Sequence, residues 1–433
     1  MQFLIRLLGL TDATSAERRA TFWTALMFGA AMASTFVLRP VRDQFGVDRG
    51  VEHMPYLYGL TLLVTTAFTP AFWWLASRMP SRRFVPIALH ALAASMLIVF
   101  GGLSLVGDYD WKAPGAQWVG EAFWGYFSAF NVAVPTLVWV HTVEHFSRRQ
   151  GLRLFGIVGV GGTSGAVLGS LLAEQIPALA LPPSAAAIGS LVMLELAFVC
   201  YHRSRRACAA MCAESLVQPS SEGTARGGFF GGLALLRRDG HLRAIGGYMM
   251  LLAMVASAFA VARTELVGEQ VASSRAQHGW LAHTELMSQS LVLALQLFCT
   301  GRLLRRLPAA AALVLMPLLN ALGLAVLSLS PTVGAIALVT ILLRGGQFAL
   351  EKPSREALYT PLALETKHKV KFLLDTFALR FGDWLGACFQ VYVMRRFELS
   401  AAWVLTFTVA LAVAWASIGF VLGRRADRDG GRA

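Results

Sequence analysis

The chain has 433 residues, of which 56% are hydrophobic and 15% charged, and its mean hydropathy is +0.57; a soluble domain is about 45–50% apolar and about 25% charged. So much apolar surface cannot be hidden in one or two globular cores, which excludes a soluble enzyme, a secreted disulfide scaffold and a disordered chain and leaves a polytopic membrane protein. The net charge of +13 would suggest nucleic acid in a soluble protein, but no aromatic–basic recognition motif accompanies it.

In chain order, residues 1–10 (MQFLIRLLGL) are apolar but short, and the polar stretch TDATSAERR follows without an A-x-A cleavage site. They read as an interfacial amphipathic segment, not a removed signal peptide. Twelve stretches then meet the requirement of about 20 mainly apolar residues for a span. They lie near 20–44, 53–76, 84–106, 118–146, 152–177, 184–202, 243–270, 279–300, 309–329, 332–358, 369–393 and 400–422. With the edge residues Arg153, Arg243, Lys369 and Lys371 counted with the loops they adjoin, 26 of the 38 basic residues fall in the termini and loops of one side, five on the other side and seven inside spans. That asymmetry places both termini in the cytoplasm. The links bearing Arg78, Arg82 and Arg83, then Arg148, Arg149 and Arg153, then Arg302, Arg305 and Arg306, and finally Lys367, Lys369 and Lys371 fall inside; GDYDWKAPG falls outside.

The long polar connection at 203–242 follows the sixth span. It sets an N-terminal six-helix half (1–202) apart from a C-terminal one (243–433) that ends in a short basic tail. Phe155, Gly165, Leu168 and Gly169 recur as Phe372, Gly382, Leu385 and Gly386, a weak echo at an offset of 217 residues. The expected fold is all-α, with twelve transmembrane helices in two six-helix halves. This is the major-facilitator layout, whose site lies near the midplane.

An ionisable group inside a bilayer costs roughly 2.5–3.5 kcal/mol on insertion scales. The seven intramembrane basic residues are Arg39, Arg42, Arg263, Arg344, Lys352, Arg355 and Arg380; acidic residues in or near spans include Asp43, Glu121, Glu144, Glu195, Glu265, Glu351, Glu356, Asp375 and Asp383. Spans 1, 4, 7 and 10, which line the cavity in that layout, carry LRPVRD, Glu121, ARTELVGE and EKPSRE. One reading is charge pairs that staple or gate the protein, such as Arg39–Asp43 or Lys352–Glu356 at i,i+4. The other is a cavity for a polyanion, since a guanidinium fork binds phosphate or carboxylate through two parallel hydrogen bonds. The acidic groups would hold these cations in the empty protein, be displaced on binding, or carry protons. Pro40, Pro135 and Pro353 either kink cavity helices where they rock or simply fit their shape.

Other motifs point elsewhere less well. No Gly-Lys dipeptide occurs, so there is no Walker A loop. GIVGVGGTSGAVLG (156–169) lies in a helical stretch, and Gly161, Gly165 and Gly169 form a small-xxx-small packing face. HTVEH (141–145) has the H-x-x-E-H spacing of a zinc peptidase, yet it ends a span without a third ligand, and a polar helix end is the simpler reading. The five cysteines, Cys200, Cys208, Cys212, Cys299 and Cys388, are an odd number and read as free thiols. Tyr56, Tyr58, Trp73, Trp74, Trp111 and Trp118 fall near span ends, as an aromatic belt requires.

From LRPVRD onward the chain resembles the ATP/ADP translocases of plastids and obligate intracellular bacteria, with their relatives in free-living bacteria. EAFWGYFSAFN from Glu121, RLFGIVGVGGTSGAVLG (153–169) and above all EKPSREALYTPLALETKHKVKFLLDTFALRFGDWLGA (351–387) carry the resemblance, which extends over 20–422. It implies a carrier in the bacterial inner membrane that exchanges ATP- and ADP-type nucleotides or another organic phosphate by alternating access, with no enzyme activity and no cofactor. By position it implies Arg42, Glu121, Glu265 and Arg355 as substrate-binding residues; the intramembrane cations Arg39, Lys352 and Arg380 are second-tier candidates from the residues themselves. Nucleotide exchangers of the family carry Lys where this chain has Arg42 and Arg355. The alternatives are a proton-coupled carrier of another solute and a non-transporting receptor or scaffold that binds a partner through 203–242.

Overall fold

A computed structural model describes residues 13–214, 229–300, 306–359, 366, 370, 373–394 and 401–430. The expected interfacial segment 1–10, the linker centre at 215–228, Arg302, Arg305, Lys367, Lys369, Lys371 and Phe372 lie outside the described residues. Among the described residues the chain is helical, with no strand. The main helices are α1 (Ser15–Arg49), α2 (Met54–Arg78), α3 (Ser81–Val106), α4 (Ala116–His145), α5 (Arg148–Ala178), α6 (Ala185–Glu214), α7 (Gly240–Gln270), α8 (Ser274–Leu295), α9 (Ala309–Leu329), α10 (Val333–Gly346, continued without a break through Gln347–Glu351 and Lys352–Ala357), α11 (Leu379–Cys388) and α12 (Ala401–Gly430). A ten-residue helix, Phe229–Arg238, precedes α7.

Ten of these helices are long and apolar enough to cross a membrane, and the protein is a multi-pass integral membrane protein. The two that are not overlap expected spans: α8 carries His278, Glu285 and Gln289, and α11, which carries Arg380 and Asp383, is only ten residues long between its flanking π-helical turns. Their polar groups are spent on protein partners, described below. Leu63, Ile98, Leu105 and Leu329 are 68–88% exposed, as lipid-facing side chains are. The helices outrun the expected spans: the 35 residues of α1 extend about 52 Å, well beyond a hydrocarbon core of about 30 Å. Of the expected aromatic belt, Tyr56, Trp73, Trp74 and Trp118 are exposed, but Trp111 is buried. Its indole N–H donates to Gln44 and its ring meets Phe45 edge-on at 5.0 Å. A polar partner within reach drew it inward, away from the interface.

By packing the chain forms two units, one of 1–45, 67–223 and 273–293, the other of 46–66, 224–272 and 294–433. In the first, α1 begins at a capping box in which the Thr14 and Glu17 backbone N–H groups donate to Glu17 Oε2 and Thr14 Oγ1 at 3.0 and 3.1 Å. Glu17 also accepts from Gln150 and Arg153, each at 3.0 Å, which ties the start of α1 to the start of α5. Above that tie the two helices approach backbone to backbone. A Cβ on Gly165 would run into the carbonyl of Gly29, and one on Gly161 or Gly169 would run into Ala25 or Ala33. The small face read on α5 thus meets a second one on α1, Ala25-x3-Gly29-x3-Ala33. Lipid supplies no hydrophobic drive for helix association, so close contact of this kind is what holds such helices together.

The second unit repeats the device. A Cβ on Gly382 would lie 2.7 Å from the Met250 carbonyl oxygen and 2.8 Å from Ala253 Cβ, and Gly386 faces Met254 and Ser257 in the same way. Gly169 faces Ala33 and Phe36, and Met250 and Ala253 stand 217 residues beyond those two. They face Gly382, however, which stands 217 beyond Gly165, so the α7–α11 pair repeats the close approach of α1 and α5 one turn out of register.

The first half of α8 is fastened within the first unit. Arg275 pairs with Asp108 in the 107–115 loop and stands 5.7 Å over the Tyr109 ring. His278 meets Tyr109 edge-on at 5.4 Å and lies 3.2 Å from the Ala173 carbonyl oxygen, and His283 pairs with Glu174 at 2.7 Å. Burial pushes the Tyr109 phenol well above its usual range, against a smaller opposing pull from Arg275.

Gly165→Ala should destabilise the protein by about 3 kcal/mol or more, since the backbone facing it cannot move aside as a side chain can. Gly156→Ala, which meets nothing within 4 Å, should leave the unfolding midpoint in detergent unchanged. Equal midpoints for the two variants would contradict the packing described.

Candidate functional site

The charged residues singled out in the sequence gather in two clusters, one in each unit. In the first unit they occupy the last turns of α1. Arg39 Nη1 lies 3.2 Å from Glu285 Oε1 on α8, with side chains 17% and 4% exposed. Gln289 Nε2 donates to the same oxygen at 2.8 Å. The Arg39 guanidinium also stands 4.5 Å over the Phe36 ring, one turn back. Arg42 donates through Nε to Asp43 at 2.9 Å. Its guanidinium carbon lies 4.7 Å from the Trp124 ring centroid and 5.0 Å from that of Phe127, both on α4. A cation over an aromatic face gains about 0.5–2 kcal/mol, more as water is removed. Arg42 is thus held against α4.

Gly120 makes this possible. A Cβ there would overlap the Phe45 ring, so α1 and α4 come together at that turn. The contact sets Glu121, half-buried and engaged with its neighbours, beside the Arg42–Phe45 turn. The structure therefore brings Arg39, Arg42 and Glu121 into one region and adds Glu285, Gln289, Trp124 and Phe127 to them.

In the second unit the cluster centres on α10. After Gly346 the helix widens through a π-helical turn, Gln347–Glu351, and continues as Lys352–Ala357. The Lys352 N–H bonds back to the Gln347 carbonyl, an i→i−5 bond. Pro353 follows at once and has no N–H to give, so the widened turn absorbs the bond it would have made. The same device recurs before α11, where the Leu379 N–H reaches Leu374 through the turn Leu374–Ala378.

Glu351 is fully buried and Arg355 is 7% exposed, and Arg355 Nε lies 3.5 Å from Glu351 Oε1. Among the described residues neither Glu351 oxygen finds a hydrogen-bond partner, nor do Arg355 Nε and Nη1 or the Ser354 hydroxyl. Asp375, Glu356 and Tyr359 lie within electrostatic reach of Arg355, and the buried Tyr359 hydroxyl contacts Met249 Sδ at 3.2 Å. The other expected residues stand apart from this pair. Lys352 is exposed with its Nζ 5.5 Å from the Phe348 ring. Arg380 pairs with Asp383 one turn on at 3.2 Å. Glu265 on α7 is half-buried and engaged with its neighbours. A small recess lined by Met254, Gly386, Phe389 and Thr408 contains none of these charges.

Sequence reasoning missed Glu285 because α8 is not a cavity helix in the expected layout; the signal was a carboxylate preceding the apolar run LMSQSLVLAL. It named Glu351 as an intramembrane acid without selecting it. HTVEH proves to be a packed helix end. His141 Nε2 bonds to Ser204 Oγ at 2.9 Å, and Ser204 meets Thr24 Oγ1 at 2.7 Å. His145 Nδ1 lies 2.8 Å from the His141 carbonyl, and the exposed Glu144 contacts Ser81. Among the described residues no three His, Cys, Asp or Glu side chains are placed to hold a metal. The five cysteines are free thiols.

No protein-family model and no curated protein sequence matches the chain. Solved structures do. A single-residue variant of the E. coli fucose:proton symporter FucP superposes with a TM-score of 0.55 at 12% identity over 95% of this chain and 99% of that one. A bacterial homologue of the human lysosomal transporter Spinster, inward-facing and unoccupied, gives 0.55 at 13% identity over 96% and 99%. FucP in its outward conformation gives 0.55 at 11% identity over 95% and 99%. The fold is that of the major facilitator superfamily.

Glu285→Ala should destabilise the protein by about 3 kcal/mol, because it strands a buried cation. Adding Arg39→Met should recover much of that loss. A thermal-unfolding double-mutant cycle should therefore show a coupling of more than about 1.5 kcal/mol; additive effects would contradict the pair.

Proposed function

We propose that the protein is a secondary-active carrier of an organic phosphate anion, with an ATP/ADP-type nucleotide as the first substrate to test. The observation that supports it most is Arg355: a guanidinium buried inside a membrane helix with two nitrogens that find no hydrogen-bond partner among the described residues. Such a group gains most from a ligand that offers several charged oxygens at once. Arg42 offers a second cation, held against Trp124 and Phe127. In this reading Arg42 and Arg355 bind phosphate oxygens, and Glu121 and Glu265 neutralise or release them as the carrier turns over. Arg39, Lys352 and Arg380 contribute to the field without gripping the solute. The fold, shared with transporters, fits alternating access, and the basic loops fit a bacterial inner membrane with both termini cytoplasmic.

A second reading, a proton-coupled carrier of another solute, draws on the buried carboxylates Glu285 and Glu351 and on the fold shared with a fucose:proton symporter. Counter-exchange in proteoliposomes separates the two. Vesicles loaded with ADP should take up labelled ATP or another labelled phosphate compound. Arg355→Ala or Arg42→Ala should lower that uptake about ten- to a hundredfold, the loss of one or two charge-assisted hydrogen bonds, with the unfolding midpoint retained. Unchanged uptake by Arg355→Ala would refute its role. Uptake driven by an imposed pH gradient and indifferent to phosphate compounds would favour the second reading.

A further inference from the structure

We infer that Glu351 is a built-in competitor for Arg355: it occupies the guanidinium in the empty protein, and an anionic solute displaces it only as its carboxylate takes up a proton. The inference rests on the anion-carrier reading and adds a coupling step to it.

The geometry carries the argument. Glu351 and Arg355 stand one turn apart on α10, both buried, at 3.5 Å. A settled buried ion pair closes to about 2.7–2.9 Å and satisfies its remaining lone pairs and protons with further hydrogen bonds. This pair does neither: among the described residues both carboxylate oxygens, two guanidinium nitrogens and the adjacent Ser354 hydroxyl are left without a hydrogen bond. The pair neutralises charge without saturating it, so Arg355 remains able to exchange partners. The turn that ends on Glu351 is the π-helical one, widened ahead of Pro353, and such turns allow local backbone adjustment at functional sites.

The charged and titratable groups around Glu351 set the sign. On its own helix these are Lys352, Arg355 and Glu356, with Tyr359 just beyond its end; from the second π-helical turn comes Asp375, and from α7 Tyr248. Arg355 is the cation it touches, while Asp375 and Glu356 repel its charge. When an anion takes Arg355, Glu351 loses its contact partner and gains a further negative neighbour. A buried carboxylate in that position accepts a proton from solution in preference to remaining charged. One proton is then bound per anion, and the anion binds more tightly as pH falls, by up to about tenfold per pH unit.

Sulfate tests this, because it mimics phosphate and its charge does not change between pH 6 and 8. Its affinity would be read from thermal stabilisation of the purified protein, and proton uptake from an indicator dye in weak buffer. The wild-type protein should bind sulfate more tightly at pH 6 than at pH 8 and take up about one proton per sulfate. Glu351→Gln should bind at least tenfold more tightly at pH 8, with no proton uptake and no pH slope, whereas Glu356→Gln should keep the slope. Should Glu351→Gln fail to fold, proton uptake by the wild type decides. Sulfate binding that Arg355→Ala abolishes but that shows no pH slope and no proton uptake would overturn the competitor role and leave the anion site standing. No sulfate binding by either wild type or Glu351→Gln would overturn both.

Discussion

A charge inside a bilayer must find a partner, and most of what is unusual in this chain follows from that requirement. The cations on α1 and α10 lie where solvation by water is withdrawn, and each is met by a carboxylate, an aromatic face or both. Arg39 accounts for Glu285, and Glu285 in turn for Gln289; this is why α8 carries polar side chains within an expected span. Arg42 accounts for the aromatic wall of α4. Arg355 is the exception in degree, because its partner neutralises it without filling its hydrogen-bonding positions. A group left in that state inside a protein is where binding free energy is available, and the proposed function follows from that one residue more than from the number of cations.

The helices that carry these groups are positioned by small residues. Gly165 against Gly29 and Gly382 against Met250 let backbones touch, which dispersion rewards when lipid offers no hydrophobic gain. Gly120 instead makes room for the Phe45 side chain, which brings α1 and α4 close where Arg42 reaches Trp124. The π-helical turns before Lys352 and Leu379 have a different origin. They accommodate missing or displaced backbone bonds inside α10 and ahead of α11, and they place Glu351 and Asp375 where the helix is most adjustable.

Much of the fold was legible in the sequence because its causes are local. Twelve apolar stretches and the Gly-x3-Gly-x3-Gly face of α5 need only composition and spacing. The partner of that face, Ala25-x3-Gly29-x3-Ala33, was equally present but unremarked, since alanines in a membrane helix draw no notice until something packs against them. The site was legible in part. Arg39, Arg42, Glu351 and Arg355 stood out as charges in apolar surroundings. What each charge pairs with is a tertiary fact: Glu285 lies 246 residues from Arg39, and nothing in either segment announces the other. Trp111 shows the converse error, an aromatic near a span end that a nearby glutamine drew into the interior.

The central claim, that buried guanidinium groups of this protein recognise an anion, is tested most directly by ligand-dependent thermal stability of the purified protein. The solutes to compare are ADP, a sugar phosphate, inorganic phosphate and the corresponding uncharged nucleoside and sugar. A dose-dependent rise in the unfolding midpoint with the phosphate-bearing compounds, and none with their uncharged counterparts, is the result predicted here. Stabilisation by an uncharged solute alone would contradict it.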